Sequence, residues 1–156
     1  MILRLVAVGR MKDKALGEAC AMYAKRVRHY FKLELVEVRE AGLKEKRTSA
    51  ARGDEGKALL RRIPDSSKVV ALTREGESET SSQFASRLRL WRDEASDVTF
   101  VIGGAHGLDE SVLRRADWRL SISSMTLPHE LARVTLLEQI YRACTILRGE
   151  PYHKGG

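Results

Sequence analysis

The chain alternates between two hydrophobic periods five times in the same order. ILRLVAV (2–8), LELVEVR (33–39), KVVALT (68–73), VTFVI (98–102) and WRLSIS (118–123) are short runs of apolar and β-branched residues, and each leads into apolar residues at helical spacing. Leu16, Ala19, Cys20, Tyr23, Val27 and Tyr30 mark the first helix; a weaker one, with Thr48 or Ser49 as its cap, ends at Leu59, Leu60 and Ile63 before Pro64. Phe84, Leu88 and Trp91 mark the third, and Asp109 caps a short fourth through Leu113. The last runs from about Pro128 to Leu147 with Leu131, Val134, Leu137, Ile140, Tyr141, Cys144 and Leu147, and pairs Glu138 with Arg142 on a polar side. Strands that alternate with helices pair in parallel through crossovers, so the expected fold is α/β, a mainly parallel sheet flanked by helices. Such sheets bind ligands at the carboxyl ends of their strands, which selects the loops after residues 73, 102 and 122.

At 156 residues, with no linker, repeat or low-complexity segment, the chain is expected to form one domain, 1–156. Its apolar content of 43% argues against disorder, and no apolar stretch approaches the ~20 residues of a membrane helix. The N-terminus reads as a first strand and not a signal peptide, so the expected location is cytoplasmic. Cys20 and Cys144 fall on apolar helix faces, where a free thiol acts as a small hydrophobe. A net charge of +7 makes a polyanion, above all nucleic acid, the leading partner, against a plain soluble surface. The basic clusters KRVRHYFK (25–32), KEKR (44–47), RLRLWR (87–92) and LRRADWR (113–119) are either solvated faces or phosphate contacts.

Two motifs fall on the selected loops. GGAHG (103–107) permits close backbone approach to a ligand or simply a tight strand-to-helix turn; it lacks the spacing of a dinucleotide fingerprint and the lysine of a phosphate loop. SSMTLP (123–128) offers main-chain groups and hydroxyls at a helix entrance, for a ligand or for ordinary capping, with Pro128 suited to the first turn. His106, His129 and His153 show no metal-site spacing, so no metal is expected. No nucleophile elbow is present. The terminal PYHKGG (151–156) is either a frayed end or a set of aromatic, imidazole and ammonium groups for a nucleic acid.

Taken together, ILRLVAVGRMKD, VIGGAHGLDESVLRRAD and LSISSMTLPHELARVTLLEQIYRACTILRGEPYHK resemble the SPOUT-class ribosomal RNA large-subunit methyltransferase H family, from the first strand to Lys154. The resemblance implies a trefoil knot in the C-terminal half, a homodimer, S-adenosylmethionine as cofactor and methylation of N3 of a pseudouridine in 23S rRNA within the ribosome or its large subunit. It places the cofactor on Leu72, Thr73, Gly103, Gly104, Ile122, Ser123, Ser124, Met125, Thr126 and Leu127. It puts His129, Arg142, Tyr152 and His153 forward for base contact, charge stabilisation or proton acceptance, without choosing among them. A bulky residue at Gly103 is then expected to abolish donor binding without unfolding the chain. Two other readings compete: a non-catalytic RNA- or ribosome-binding assembly factor, and a nucleotide- or NAD-binding enzyme on a doubly wound sheet.

Overall fold

The structure is a computed structural model describing residues 1–41 and 48–153. Its strands are β1 (Ile2–Val8), β2 (Lys32–Val38), β3 (Lys68–Ser78), β4 (Val98–Ile102) and β5 (Trp118–Ser121), and its helices are α1 (Lys14–Val27), α2 (Thr48–Leu60), α3 (Ser81–Asp93), α4 (Glu110–Arg115) and α5 (His129–Leu147). A 3₁₀ turn, Pro151–His153, follows. The sheet has the order β2-β1-β4-β3-β5, and every pairing is parallel. The α/β expectation holds element by element.

Both faces of the sheet are covered. Leu3, Leu5 and Ala7 of β1 point into one core with α1, α3 and α5, while Val6 and Val8 point into the other with α2 and α4. All five residues of the central β4 are buried, which is why VTFVI carries no polar alternation beyond Thr99. Phe100 is fully buried there, its ring 6.2 Å from Phe84 and 6.4 Å from Trp91. Phe100→Ala should cost about 3–5 kcal/mol of stability through lost burial and the remaining cavity, read from urea unfolding.

Local chemistry sets the helix starts. The Asp13 carboxylate accepts from Leu16 N, Thr80 and Gln83 form a reciprocal capping box, and Asp109 accepts from Ser111 N. Helix α5 begins at Pro128 with no side-chain cap, so the serines and threonine before it are not spent on capping.

One element departs from expectation. The polar turn anticipated after Thr73 is instead a continuation of β3 to Ser78, with a register break: Leu72 and Glu77 both pair with Leu120, and Ser78 pairs with Ser121. Residues 73–76 are thus looped out over the end of β5. Gly76 makes this possible, because a Cβ there would lie 2.7 Å from the main-chain carbon and oxygen of Arg119.

Both cysteines are buried and unpaired. Burial pushes the Cys144 thiol up to about 12 and raises that of Cys20, so little thiolate exists at neutral pH. Native protein should therefore resist thiol reagents at pH 8, and both cysteines should label after denaturation.

Candidate functional site

Because β3 lies between β4 and β5, the carboxyl ends of these strands open side by side. The stretches chosen from sequence meet here: Leu72 and Thr73 at the register break, Gly103 and Gly104 after β4, and Ile122–Leu127 after β5. Leu72 and Ile122 pack against the apolar core. In the looped-out segment the Thr73 hydroxyl donates to Glu75 Oε2 at 2.6 Å and Arg74 Nε donates to Glu75 Oε1 at 2.6 Å, which together hold the Glu75 carboxyl down to about 2.

The stretch 123–127 has the features of a main-chain binding surface. The only hydrogen bond its main-chain N–H groups make among the described residues is Met125 N to Ser123 Oγ, 3.0 Å. Ser123, Ser124, Thr126 and Leu127 therefore keep their N–H groups for water or a ligand, and Met125 stands 75% exposed above them. Ser121 Oγ donates to Arg74 O at 3.2 Å, tying the start of this stretch to the looped-out segment of β3.

The glycines after β4 serve the turn itself. A Cβ on Gly103 would lie 2.6 Å from the Gly107 carbonyl, and Gly107 N bonds back to Gly104 O at 3.1 Å. A bulky Gly103 substitution is thus expected to displace the turn as well as any donor, a correction to the cleaner outcome anticipated from sequence. On Gly104 the empty Cβ position faces Val8 at 2.9 Å and the Glu55 carboxylate at 3.0 Å.

Within one chain His129 lies apart from Arg142 and Tyr152. His129 opens α5, its ring against Gly9, where a Cβ would come 3.3 Å from Nε2. This Nε2 is shut from solvent without a partner. Beside it, buried Arg133 donates to Val8 O at 2.6 Å, Gly9 O at 2.5 Å and Glu37 Oε1 at 2.9 Å, fastening α5 to the end of β1. Arg142 lies thirteen residues further along the helix, roughly 20 Å away.

Tyr152 joins Arg142 at that far end. The tyrosine ring packs edge-on to Tyr141 at 4.6 Å, the Arg142 guanidinium sits 5.1 Å from its centroid, and its hydroxyl donates to Glu138 Oε1 at 3.2 Å. The terminal turn is therefore docked and not frayed as far as Tyr152. Arg142 donates to the same Glu138 oxygen at 3.0 and 2.7 Å. The Tyr23 hydroxyl comes within 3.5 Å of that of Tyr152. Burial first, then these neighbours, pushes the Tyr152 phenol well above its ordinary value, whereas the Glu138 hydrogen bond raises Arg142 further. The pair thus stands as a neutral hydrogen-bond donor and a permanent cation. The side chain of His153 lies outside the described atoms, as does the basic cluster 44–47.

Sequence reasoning missed Tyr23, Glu55 and Arg133 as parts of this architecture. The last two carried a signal. Glu55 falls at i,i+4 spacing between Ala51 and Leu59, and Arg133 falls four residues before Leu137, so each is a charge on a buried helical face.

No group of three or more potential metal ligands occurs among the described residues. No helix among them is long and apolar enough to cross a membrane. Main-chain donors beside an exposed methionine suit a ligand with polar edges, and the Glu55 carboxylate, with no ion pair among the described residues, lies behind the turn at Gly104.

Comparison with known proteins gives a consistent result. The family model described as "Predicted SPOUT methyltransferase" matches residues 1–153. The ribosomal RNA large subunit methyltransferase H of Anaeromyxobacter sp. (strain K) is 50% identical over 154 residues, covering 99% of this chain and 100% of the relative. The protein of the same name from Listeria monocytogenes serotype 4b (strain CLIP80459) is 43% identical over 159 residues, with the same coverage. Among solved structures, a probable methylase family protein from Haemophilus influenzae Rd KW20 shares the fold with a TM-score of 0.58 at 13% identity, covering 98% of this chain and 70% of that one. A probable methyltransferase from Bordetella pertussis Tohama I does so at 0.56 and 18% identity, covering 91% and 93%.

Proposed function

The chain belongs to the SPOUT methyltransferase family, and from that premise we propose that it methylates RNA of the large ribosomal subunit, with S-adenosylmethionine as methyl donor. The observation that carries the reading is the end-to-end likeness to relatives bearing that name, 50% identical with nothing of their length left over. A non-catalytic assembly factor and an NAD enzyme, both open on composition and fold class, lose their ground to it.

The residues fit such a donor. The unengaged N–H groups of Ser123, Ser124, Thr126 and Leu127 suit its adenosyl edge, Leu72 and Ile122 offer apolar contact, and the turn at Gly103 and Gly104 forms the facing wall. When bound, the donor supplies an electrophilic methyl group on a sulfonium. The protein's task is then alignment, which alone can account for about 7–11 kcal/mol of barrier lowering in well-oriented reactions.

The acceptor in this reading is N3 of a pseudouridine in 23S rRNA. Its imide proton must leave, at about 1.4 kcal/mol for each unit its pKa stands above the working pH. The Arg142 cation is suited to stabilise the resulting anion. Tyr152, held protonated and donating, is suited to orient the base and not to remove its proton. Proton acceptance therefore falls to His129, His153 or solvent.

The roughly 20 Å along α5 between His129 and Arg142 argues that a complete site takes its donor pocket from one subunit and its tail from another. A homodimer is accordingly part of the proposal, as are a C-terminal trefoil knot, a single domain over 1–156 and a cytoplasmic location beside the ribosome.

The test is methyl transfer from labelled S-adenosylmethionine to ribosomes or large subunits, with mass-spectrometric mapping of the modified nucleotide. Label at a pseudouridine of the large-subunit RNA is the expected result. Donor binding without any label in that RNA would overturn the substrate assignment.

A further inference from the structure

Glu55 is a charged residue where α2 should be apolar. Between Ala51 and Leu59 it is only 4% exposed. Its Oε1 accepts from Ala41 N at 3.0 Å. Among the described residues its Oε2, sealed from solvent, has no hydrogen-bond partner, and none of the ion pairs involves it. A buried carboxylate left in this state is costly, and a cation brought near it recovers much of that cost.

The place of this carboxylate indicates which cation it meets. Oε2 would stand 3.0 Å from a Cβ on Gly104, so the charge sits immediately behind the turn that follows β4. The missing side chain of Gly104 lets the carboxylate lie close to this turn, and any side chain there would strike both the carboxylate and Val8. In the reading above, that turn is a wall of the donor pocket. The donor carries a sulfonium; once its methyl is transferred, the product retains a neutral thioether and has lost one positive charge.

We propose that Glu55 is a specificity-determining residue that makes the pocket favour the cationic methyl donor over its neutral-sulfur product, S-adenosylhomocysteine. The inference rests on the assignment of the turn at 103–104 to the donor pocket. It requires no direct contact, because a unit charge acts through a thin, poorly screened layer of protein. It also gives the buried charge a use in turnover, since the product leaves a site that no longer holds it electrostatically.

The decisive measurement is calorimetric affinity for S-adenosylmethionine and for S-adenosylhomocysteine, compared as a ratio. Glu55→Gln keeps an oxygen to accept from Ala41 N and removes only the charge. It should lower the preference for the donor over the product by about tenfold, the size Coulomb's law gives for unit charges about 12 Å apart at an effective dielectric constant of about 20. Asp54→Asn removes a neighbouring carboxylate that is 60% exposed and should leave the ratio unchanged. Glu55→Asp, which retains the charge, should keep the ratio near that of the wild type even if both affinities weaken. Thermal melting of Glu55→Gln should show no loss of stability, because a buried charge without a partner contributes none. An unchanged ratio in Glu55→Gln, or an equal weakening of both ligands, would overturn the proposal. Failure of the wild type to bind either compound would instead remove the donor pocket on which it stands.

Discussion

A chain ending at Glu150 should bind S-adenosylmethionine with wild-type affinity and yet methylate at least about 100-fold more slowly, the range expected when a positioned acid–base or orienting group is lost. Among the described tail residues, none bonds to the stretches proposed to hold the donor in the same subunit. Tyr152 instead sits against Tyr141, Arg142 and Glu138, at the far end of α5 from the strand ends. Its removal leaves Glu138 bonded to Arg142 and strips the phenol from the surface that would face the acceptor base. The stability cost should be small, about 0.5–1.5 kcal/mol for the lost aromatic contact. Single-turnover rates on large subunits, measured beside donor calorimetry, separate the two effects, and full-rate methylation by the shortened chain would detach the tail from catalysis.

Gly76→Val should act in the opposite way, on the donor pocket and not on the tail. Its Cβ would have to occupy space 2.7 Å from the main chain of Arg119 and Leu120, where neither atom can rotate aside. The looped-out segment 73–76 must therefore lift off β5, taking with it the carbonyl of Arg74 that holds Ser121. Overpacking of this kind costs about 1–3 kcal/mol, so the protein should remain folded at 25 °C with a lowered melting temperature. Donor affinity should fall by more than about tenfold, because Leu72 loses its register against Leu120 just before the 122–127 stretch, and the near-attack geometry depends on both. Retention of wild-type affinity by a folded Gly76→Val would show that the β3 loop is not a wall of the pocket.

How far the molecule could be read in advance depended on how local the cause was. VTFVI announced a strand buried on both faces, and residues 98–102 form it with all side chains enclosed. Asp109 announced a helix cap and is one. Residues 74–78 were misread for a physical reason: REGES is polar and turn-like, but pairing of Glu77 with Leu120 and of Ser78 with Ser121 holds its end extended. GGAHG could be read as close approach to a ligand or as a tight strand-to-helix turn, and the nearest occupant beside Gly103 is the protein's own Gly107. The family resemblance put His129 and Arg142 forward together, and the rigid rise of α5 sets them apart. Glu55 and Arg133 were visible as charges at apolar positions, but what each touches depends on strands distant in sequence.

By itself, the order of residues determined the alternation of strands and helices, the helix caps, and three stretches of chain suited to a ligand, because periodicity and capping act over a few neighbouring residues. Only the tertiary structure decided that β3 would lie between β4 and β5, that its end would ride over β5, that the Glu55 carboxylate would be sealed with no ion pair among the described residues, and that Tyr152 would dock beside Arg142, roughly 20 Å along α5 from His129. Those outcomes follow from packing between segments tens of residues apart, where burial and main-chain approach, and not local preference, set the free energy.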